Sequence, residues 1–337
     1  MIPVAALTAA VCVISFFRIS VSGASINGNN ISYTMNDIRN LQDFLLARET
    51  PDLSGKEYDL NDDGRWDVFD LCLMKQHYNT EHNQTIYLWN EGNMPTATKN
   101  ISSSASYADP VDFRPNMIYV PAAENTKIKG AVLICSRGAF QFRSENEGTP
   151  VAKELSKLGY QCFVVNYRVR PYTMEEGSLD LARAVRYVCS HASQYRISED
   201  DIAVMGFSAG GILCGDLLLN FDGTVDGTIL DKNYISDELD KVSADASAVG
   251  MIYSFYGRLS VASADVEKFR QSDLPPTYLV YGTRDPFVSQ FEKCVAALKE
   301  AEVSVESHVL DGMPHGFGAR GGWIAEYDKW LTDIFES

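Results

Sequence analysis

The chain has 337 residues, 45% hydrophobic and 22% charged, enough for one large core plus a small extra module. Its 45 acidic residues outnumber 29 basic ones, giving a formal charge of −16. That argues against a nucleic-acid binder, which needs basic patches, and suits a soluble exported protein. The first element, Ile2 to Phe17, is nearly all apolar or small and is followed by Arg18 and SVSGAS. A run this short reads as the apolar part of a signal peptide, residues 1–24, cleaved near Gly23 or Ala24. A membrane anchor is the alternative, because no Lys or Arg precedes the run. The expected location is extracellular, with no membrane association after cleavage. Of the seven cysteines, Cys12 leaves with the signal, and the other six show no CxxC spacing. They read as buried free thiols, and an exported chain without a disulfide pattern points to a bacterial setting.

The next module spans residues 25–80. Between Ser25 and Gln84 it carries eleven acids and five bases. In TMNDIRNLQDFLLAR, Ile38, Leu41, Leu45 and Leu46 recur on one helical face, and Leu71, Met74 and Tyr78 do so in FDLCLMKQHY. Just before the second helix stands DLNDDGRWDVFD, Asp59 to Asp70. A hard cation such as Ca²⁺ needs six or seven oxygens. Asp59, Asn61 and Asp63 offer side-chain oxygens at positions 1, 3 and 5 of the loop, and Arg65 offers a backbone carbonyl at position 7. Asp67 at position 9 would act through water, and Asp70 at position 12 would bind with two oxygens. Gly64 at position 6 permits the sharp turn. A solvated acidic turn is the competing role.

This loop closes on Asp70 where the general motif has Glu, and a helix with LxxLK-like texture follows at once. In these features residues 25–78 resemble the dockerin modules of cellulosomes. The resemblance implies a structural Ca²⁺, two loops in duplicated halves, and a cohesin on a scaffold protein as partner. The first half departs from the pattern. SINGNNISYTMND keeps Asn27 and Asn29 but has Ser25 at position 1, Asn30 in place of glycine, and Asp37 one place late.

After a short linker, 81–84, the texture changes. From Thr85 to Ser337 strand-like runs (NMIYV, GAVLIC, QCFVVNY, IAVMGFS, AVGMIYSF, TYLVYG, VESHVL) alternate with helical segments. That alternation predicts an α/β fold, a mostly parallel sheet with helices on both faces. GFSAG, Gly206 to Gly210, lies between strand IAVM and an apolar helical run, the context of a nucleophile elbow that exposes Ser208. The competing role is a glycine-rich turn with an idle serine. A serine hydroxyl needs a base. Of the five histidines, His77 and His82 lie in or beside the small module, His191 ends a helix, and His308 sits in a strand. His315, in the loop DGMPHGFG between the last strand and last helix, is the candidate base. Asp285, after TYLVYG, is the candidate acid, with a helix N-cap as its plainer role. Asp311 is the rival, read as local structure. The oxyanion needs two backbone donors. Ala209 should supply one, and Gly138 or Ala139 in the loop SRGAF the other. Arg137 stands where related loops carry glycine, and its side chain is free to reach a substrate carboxylate or sugar.

With the LW-EG opening at Leu88, Trp89, Glu91 and Gly92, the DLARAVRYV helix, FSAGG and the PHGF loop, residues 85–337 resemble α/β-hydrolase esterases. They resemble especially the acetyl-esterase and feruloyl-esterase-like groups that deacylate plant polysaccharides. The resemblance implies a serine carboxylesterase with no catalytic cofactor, acting on an acylated polysaccharide. Acetylated xylan is the first expectation and feruloyl esters the second. A prolyl-oligopeptidase-type peptidase and a non-catalytic binding protein are the rival classes. No propeller-sized domain precedes the catalytic region, which counts against the peptidase.

Overall fold

The computed structural model describes residues 33–48, 58–61, 63–82, 85–99, 109–110 and 112–337. The expected signal segment and Ser25 to Asn30 of the first loop lie outside these residues. The chain divides into two compact units, Met1–Met74 and Lys75–Ser337. The division falls inside a helix, several residues before the change in texture at Thr85.

In the small unit, α1 (Met35–Leu45) begins at a capping box. The Thr34 hydroxyl accepts from the Asp37 N–H, and the Asp37 carboxylate accepts from the Thr34 N–H at 2.7 Å. Asp37, one place late for a metal ligand, thus has a helix-starting role. Ile38 and Leu41 are buried with Tyr33 and Tyr58, while Leu46 is half exposed because the helix ends at Leu45. The second helix, α2 (Val68–His82), contributes Leu71 and Met74 to the core. The side chain of Tyr78 lies outside the described residues.

The large unit is built on an eight-stranded sheet. Its elements in order are β1 (Thr85–Tyr87), β2 (Asn116–Val120), β3 (Gly130–Cys135), α3 (Thr149–Lys157), β4 (Tyr160–Asn166) and α4 (Met174–Ser190). Next come α5 (Ala192–Tyr195), β5 (Ile202–Phe207), α6 (Ala209–Asp216), β6 (Ala248–Ile252), and the two short strands β7 (Gly257–Arg258) and β8 (Val261–Ala262). The last are α7 (Val266–Gln271), β9 (Thr277–Gly282), α8 (Val288–Glu300), β10 (Val305–Leu310) and α9 (Trp323–Phe335). The strand order is β1-β2-β4-β3-β5-β6-β9-β10. The β1–β2 and β2–β4 pairings are antiparallel and the rest parallel. Strands β3, β5, β6 and β9 are buried along their whole length, which is why they read as unbroken apolar runs. Edge strand β10 is exposed or half-buried along its whole length and carries Glu306 and His308. His308 bonds Glu306 and stacks on Tyr278, a packed strand histidine as its place in VESHVL suggested. The six cysteines from Cys72 onward are free, four of them fully buried. Burial pushes the Cys294 thiol up to about 12. Among the described residues no helix is long and apolar enough to cross a membrane.

The LW-EG opening and the α4 helix meet in a buried ion network. Arg168, fully buried, donates from Nε and Nη2 to both Asp180 oxygens at 2.9 and 2.8 Å. Trp89 Nε1 donates to Asp180 at 2.7 Å, and Arg168 Nη1 to the Pro95 carbonyl. Glu176 accepts from the N–H groups of Ala97, Thr98 and Thr173. Burial pushes the Asp180 carboxyl above its usual range, against the pull of Arg168. Removing one partner of such a pair strands a buried charge. Asp180→Asn is therefore expected to lower stability by about 3–5 kcal/mol in urea unfolding; a loss under about 1 kcal/mol would mean that the network carries little of the fold.

Candidate active site

The sheet places the elbow at the carboxyl end of β5. Ser208 follows that strand with φ 51° and ψ −116°, a conformation that side chains other than glycine rarely adopt. Its neighbours must give way. A Cβ on Gly206 would sit 2.2 Å from the Gly210 backbone, and one on Gly210 would sit 2.1 Å from the Cys135 carbonyl oxygen. The two glycines thus let the start of α6 close onto β5 and onto the end of β3. The turn is pinned from β6 as well: the Ser208 N–H donates to Ile252 O at 3.0 Å, and the Ser254 hydroxyl donates to Ser208 O at 2.6 Å.

The structure brings Ser208, His315 and Asp285 together from three loops. His315 Nε2 lies 2.9 Å from Ser208 Oγ, and His315 Nδ1 lies 2.7 Å from Asp285 Oδ2. The imidazole is partly exposed, while the Asp285 side chain is fully buried. Asp285 is not the N-cap of α8, a position that Phe287 holds; its Oδ1 instead accepts from the Phe287 N–H at 2.9 Å, just ahead of that helix. Phe287 and Tyr253 pack edge-on against the His315 ring, at 5.5 and 4.9 Å between centroids. Asp311 stays apart and accepts from the Thr283 hydroxyl, a local bond. His191 ends α4, its Nδ1 2.8 Å from Tyr187 O.

Ala209 is the first residue of α6, so its N–H belongs to the end of a helix where backbone donors have no intrahelical partner. Gly138 and Ala139 lie in the loop after β3. That loop folds on itself through Gln141 N–H to Gly138 O and Ser144 N–H to Arg137 O, and the Tyr167 hydroxyl holds Ser136 O at 2.7 Å. The Arg137 side chain is partly exposed, and its Nε donates to Glu147 at 2.5 Å. Sequence reasoning missed Glu147 and Tyr253. Glu147 sits in the featureless stretch SENEG. Tyr253 reads as part of a strand, but β6 ends at Ile252 and Tyr253 turns with φ 39°.

Beside Ser208 lies a cavity of about 20 Å³, lined by Ile212, Phe255, Leu259, Ser260 and Phe287 with Tyr253 and His315. Leu259 and Ser260 form the two-residue turn between β7 and β8.

The acidic loop of the small unit holds itself together by side-chain-to-backbone bonds. Asp59 accepts from the N–H groups of Asp63 and Gly64, and Asn61 and Asp63 from those of Asp63 and Arg65. Asp70, fully buried, accepts from Leu60 and Asp67, and Asp67 from Phe69. Gly64 turns with φ +80°, as position 6 requires. The donor set is all oxygen, which suits a hard cation. Among the described residues, however, no three His, Cys, Asp or Glu side chains are gathered as a metal site. In this arrangement the loop carboxylates serve backbone N–H groups.

Comparison with known proteins follows the geometry. The acetylxylan esterase of Xylanibacter ruminicola is 26% identical over 226 residues, 63% of this chain and 45% of that protein. Endo-1,4-beta-xylanase B of Butyrivibrio fibrisolvens is 30% identical over 126 residues, 36% of this chain and 20% of that protein. The chain thus spans less than half the length of these curated relatives. Among solved structures, the acetyl ester-xyloside bifunctional hydrolase from Caldicellulosiruptor lactoaceticus superposes with a TM-score of 0.57 at 24% identity, covering 76% of this chain and 96% of that one. At that identity the likeness speaks to the fold. A family profile described as alpha/beta hydrolase fold matches residues 137–319, from the loop after β3 to just past the histidine loop. The chain belongs to the alpha/beta hydrolase fold family.

Proposed function

We propose that the large unit is a serine carboxylesterase that removes acetyl groups from xylan or a related hemicellulose. The hydrogen-bonded line Ser208–His315–Asp285 on a strained elbow carries the reading. Ser208 Oγ attacks the ester carbonyl while His315 Nε2 takes its proton, and Asp285 holds the ring and stabilises the imidazolium. The tetrahedral oxyanion is met by the Ala209 N–H and by Gly138 or Ala139. His315 then returns the proton to the leaving sugar hydroxyl. Water enters by the same base to release acetate and restore Ser208.

The cavity supports the acyl group. The site beside Ser208 is small and lined mostly by apolar and aromatic side chains, which suits a short acyl group such as acetyl. The relatives named for xylan chemistry support the sugar. Acetate release from acetylated xylan is expected to exceed ferulate release from feruloylated arabinoxylan by at least about tenfold, the scale of discrimination that the size of an apolar pocket supplies; comparable rates would overturn the acetyl assignment. Ser208→Ala should lower kcat on p-nitrophenyl acetate by roughly 10⁴–10⁶-fold, and unchanged turnover would remove Ser208 as nucleophile. Cleavage of a peptide amide without ester turnover would favour the peptidase class.

We further propose that the small unit is a dockerin-like module of an exported enzyme. It would bind Ca²⁺ through Asp59, Asn61, Asp63, the Arg65 carbonyl, Asp67 and Asp70, and dock on a cohesin. The spacing of these oxygens and the turn at Gly64 support the reading. An ion that binds only the folded module stabilises it. Calcium should therefore raise the module's unfolding temperature, followed through Trp66 fluorescence, and chelation should abolish capture by an immobilised cohesin without affecting ester turnover. An unfolding temperature indifferent to calcium would overturn the metal assignment.

A further inference from the structure

Glu147 lies outside the triad, just before α3, and is fully buried. Its carboxylate accepts three hydrogen bonds from the catalytic frame. Oε2 accepts the backbone N–H of Arg137 at 3.0 Å, and Oε1 accepts Arg137 Nε and the Tyr253 hydroxyl, each at 2.5 Å. The backbone of Gly318, three residues past His315, lies against Glu147, where an added Cβ would sit 3.9 Å from the Glu147 Cγ. The Tyr253 ring lies edge-on to His315 and to Phe317, at 4.9 and 4.6 Å between centroids. The Arg137 guanidinium in turn covers Gly316, where an added Cβ would sit 3.3 Å from it.

We infer that Glu147 is a positioning residue that ties the oxyanion loop to the bed of the catalytic histidine, fixing the distance between oxyanion donor and general base. This rests on the serine-esterase reading of the site. Two chain segments that share no local sequence, the exit of β3 and the exit of β6, bond this one carboxylate, and the loop after β10 packs against Glu147, Arg137 and Tyr253. A buried ion pair is a weak source of net stability, so stability alone gives little reason for this one. A fully bonded polar network does rigidify what it touches, and oxyanion donors are effective only when held in place before the charge develops. The inference also accounts for Arg137 where related loops carry glycine: its Nε and its backbone N–H grip Glu147 together, and the guanidinium backs the histidine loop.

The test uses the full chain with p-nitrophenyl acetate, active sites being counted by a fluorophosphonate that labels Ser208. Glu147→Gln should lower kcat per labelled site by about 10–100-fold, with KM within about threefold, the pattern of an interaction made in the transition state. Affinity for phenylboronic acid, a mimic of the tetrahedral state, should fall in parallel. Tyr253→Phe, a milder change that keeps the ring, should lose about 3–10-fold, and the double variant no more than Glu147→Gln alone. A kcat per labelled site within twofold of wild type would overturn the inference, as would losses that multiply in the double variant or that lie only in the labelled fraction. A wild type inert on esters but normally labelled would overturn the esterase reading instead. The labelling rate of Glu147→Gln would then still report on positioning: slower labelling supports it and an unchanged rate overturns it.

Discussion

The site depends on one steric fact, the near-contact of the first turn of α6 with the ends of β5 and β3. At Gly206 and Gly210 there is no room for a single extra carbon, since one would fall 2.1–2.2 Å from neighbouring backbone atoms. That closeness holds Ser208 in its uncommon backbone angles at the point where α6 begins with Ala209. Strain of this kind, of order 1–3 kcal/mol, persists only where surrounding structure over-determines it. Here the parallel register of β3, β5 and β6, with Cys135 opposite Gly206 and Phe207 opposite Ile252, supplies the constraint.

The partners of Ser208 are held with similar economy. Asp285 uses one oxygen on His315 and the other on the Phe287 N–H, so the bond that orients the base also fixes the approach to α8. The ion network around Arg168, Asp180 and Glu176 does for the segment between β1 and β2 what backbone pairing does for the strands, tying Trp89 and residues 95–98 to Arg168 and α4 through charged side chains. Buried charges are tolerated there because Asp180 meets donors on both oxygens and Arg168 meets acceptors at Nε, Nη1 and Nη2.

What could be read from the sequence was whatever depends on near neighbours. The strand cores β3, β5 and β9 are legible as apolar runs, and the elbow is legible because its steric demand falls within five residues. His315 and Asp285 are legible from chain order and loop position. The antiparallel pairings of β1 and β2 are not, because three to five residues carry no sign of strand direction. Leu46 fits the helical period but lies past the end of α1. Glu147 and Tyr253 are separated by 106 residues and become partners only when the sheet is assembled. Arg137 looked anomalous against a loop pattern and finds its reason only in that distant carboxylate.

One rim of the proposed acyl pocket lies on an element that carries no member of the proposed triad. Leu259 and Ser260 sit on a two-residue hairpin whose strands, Gly257–Arg258 and Val261–Ala262, pair with each other and not with the main sheet. Lengthening or shortening that hairpin would leave the register of every sheet strand and the three catalytic side chains in place. On the proposed reading, this rim can change the size of acid that the site accepts independently of the framework that holds Ser208, His315 and Asp285.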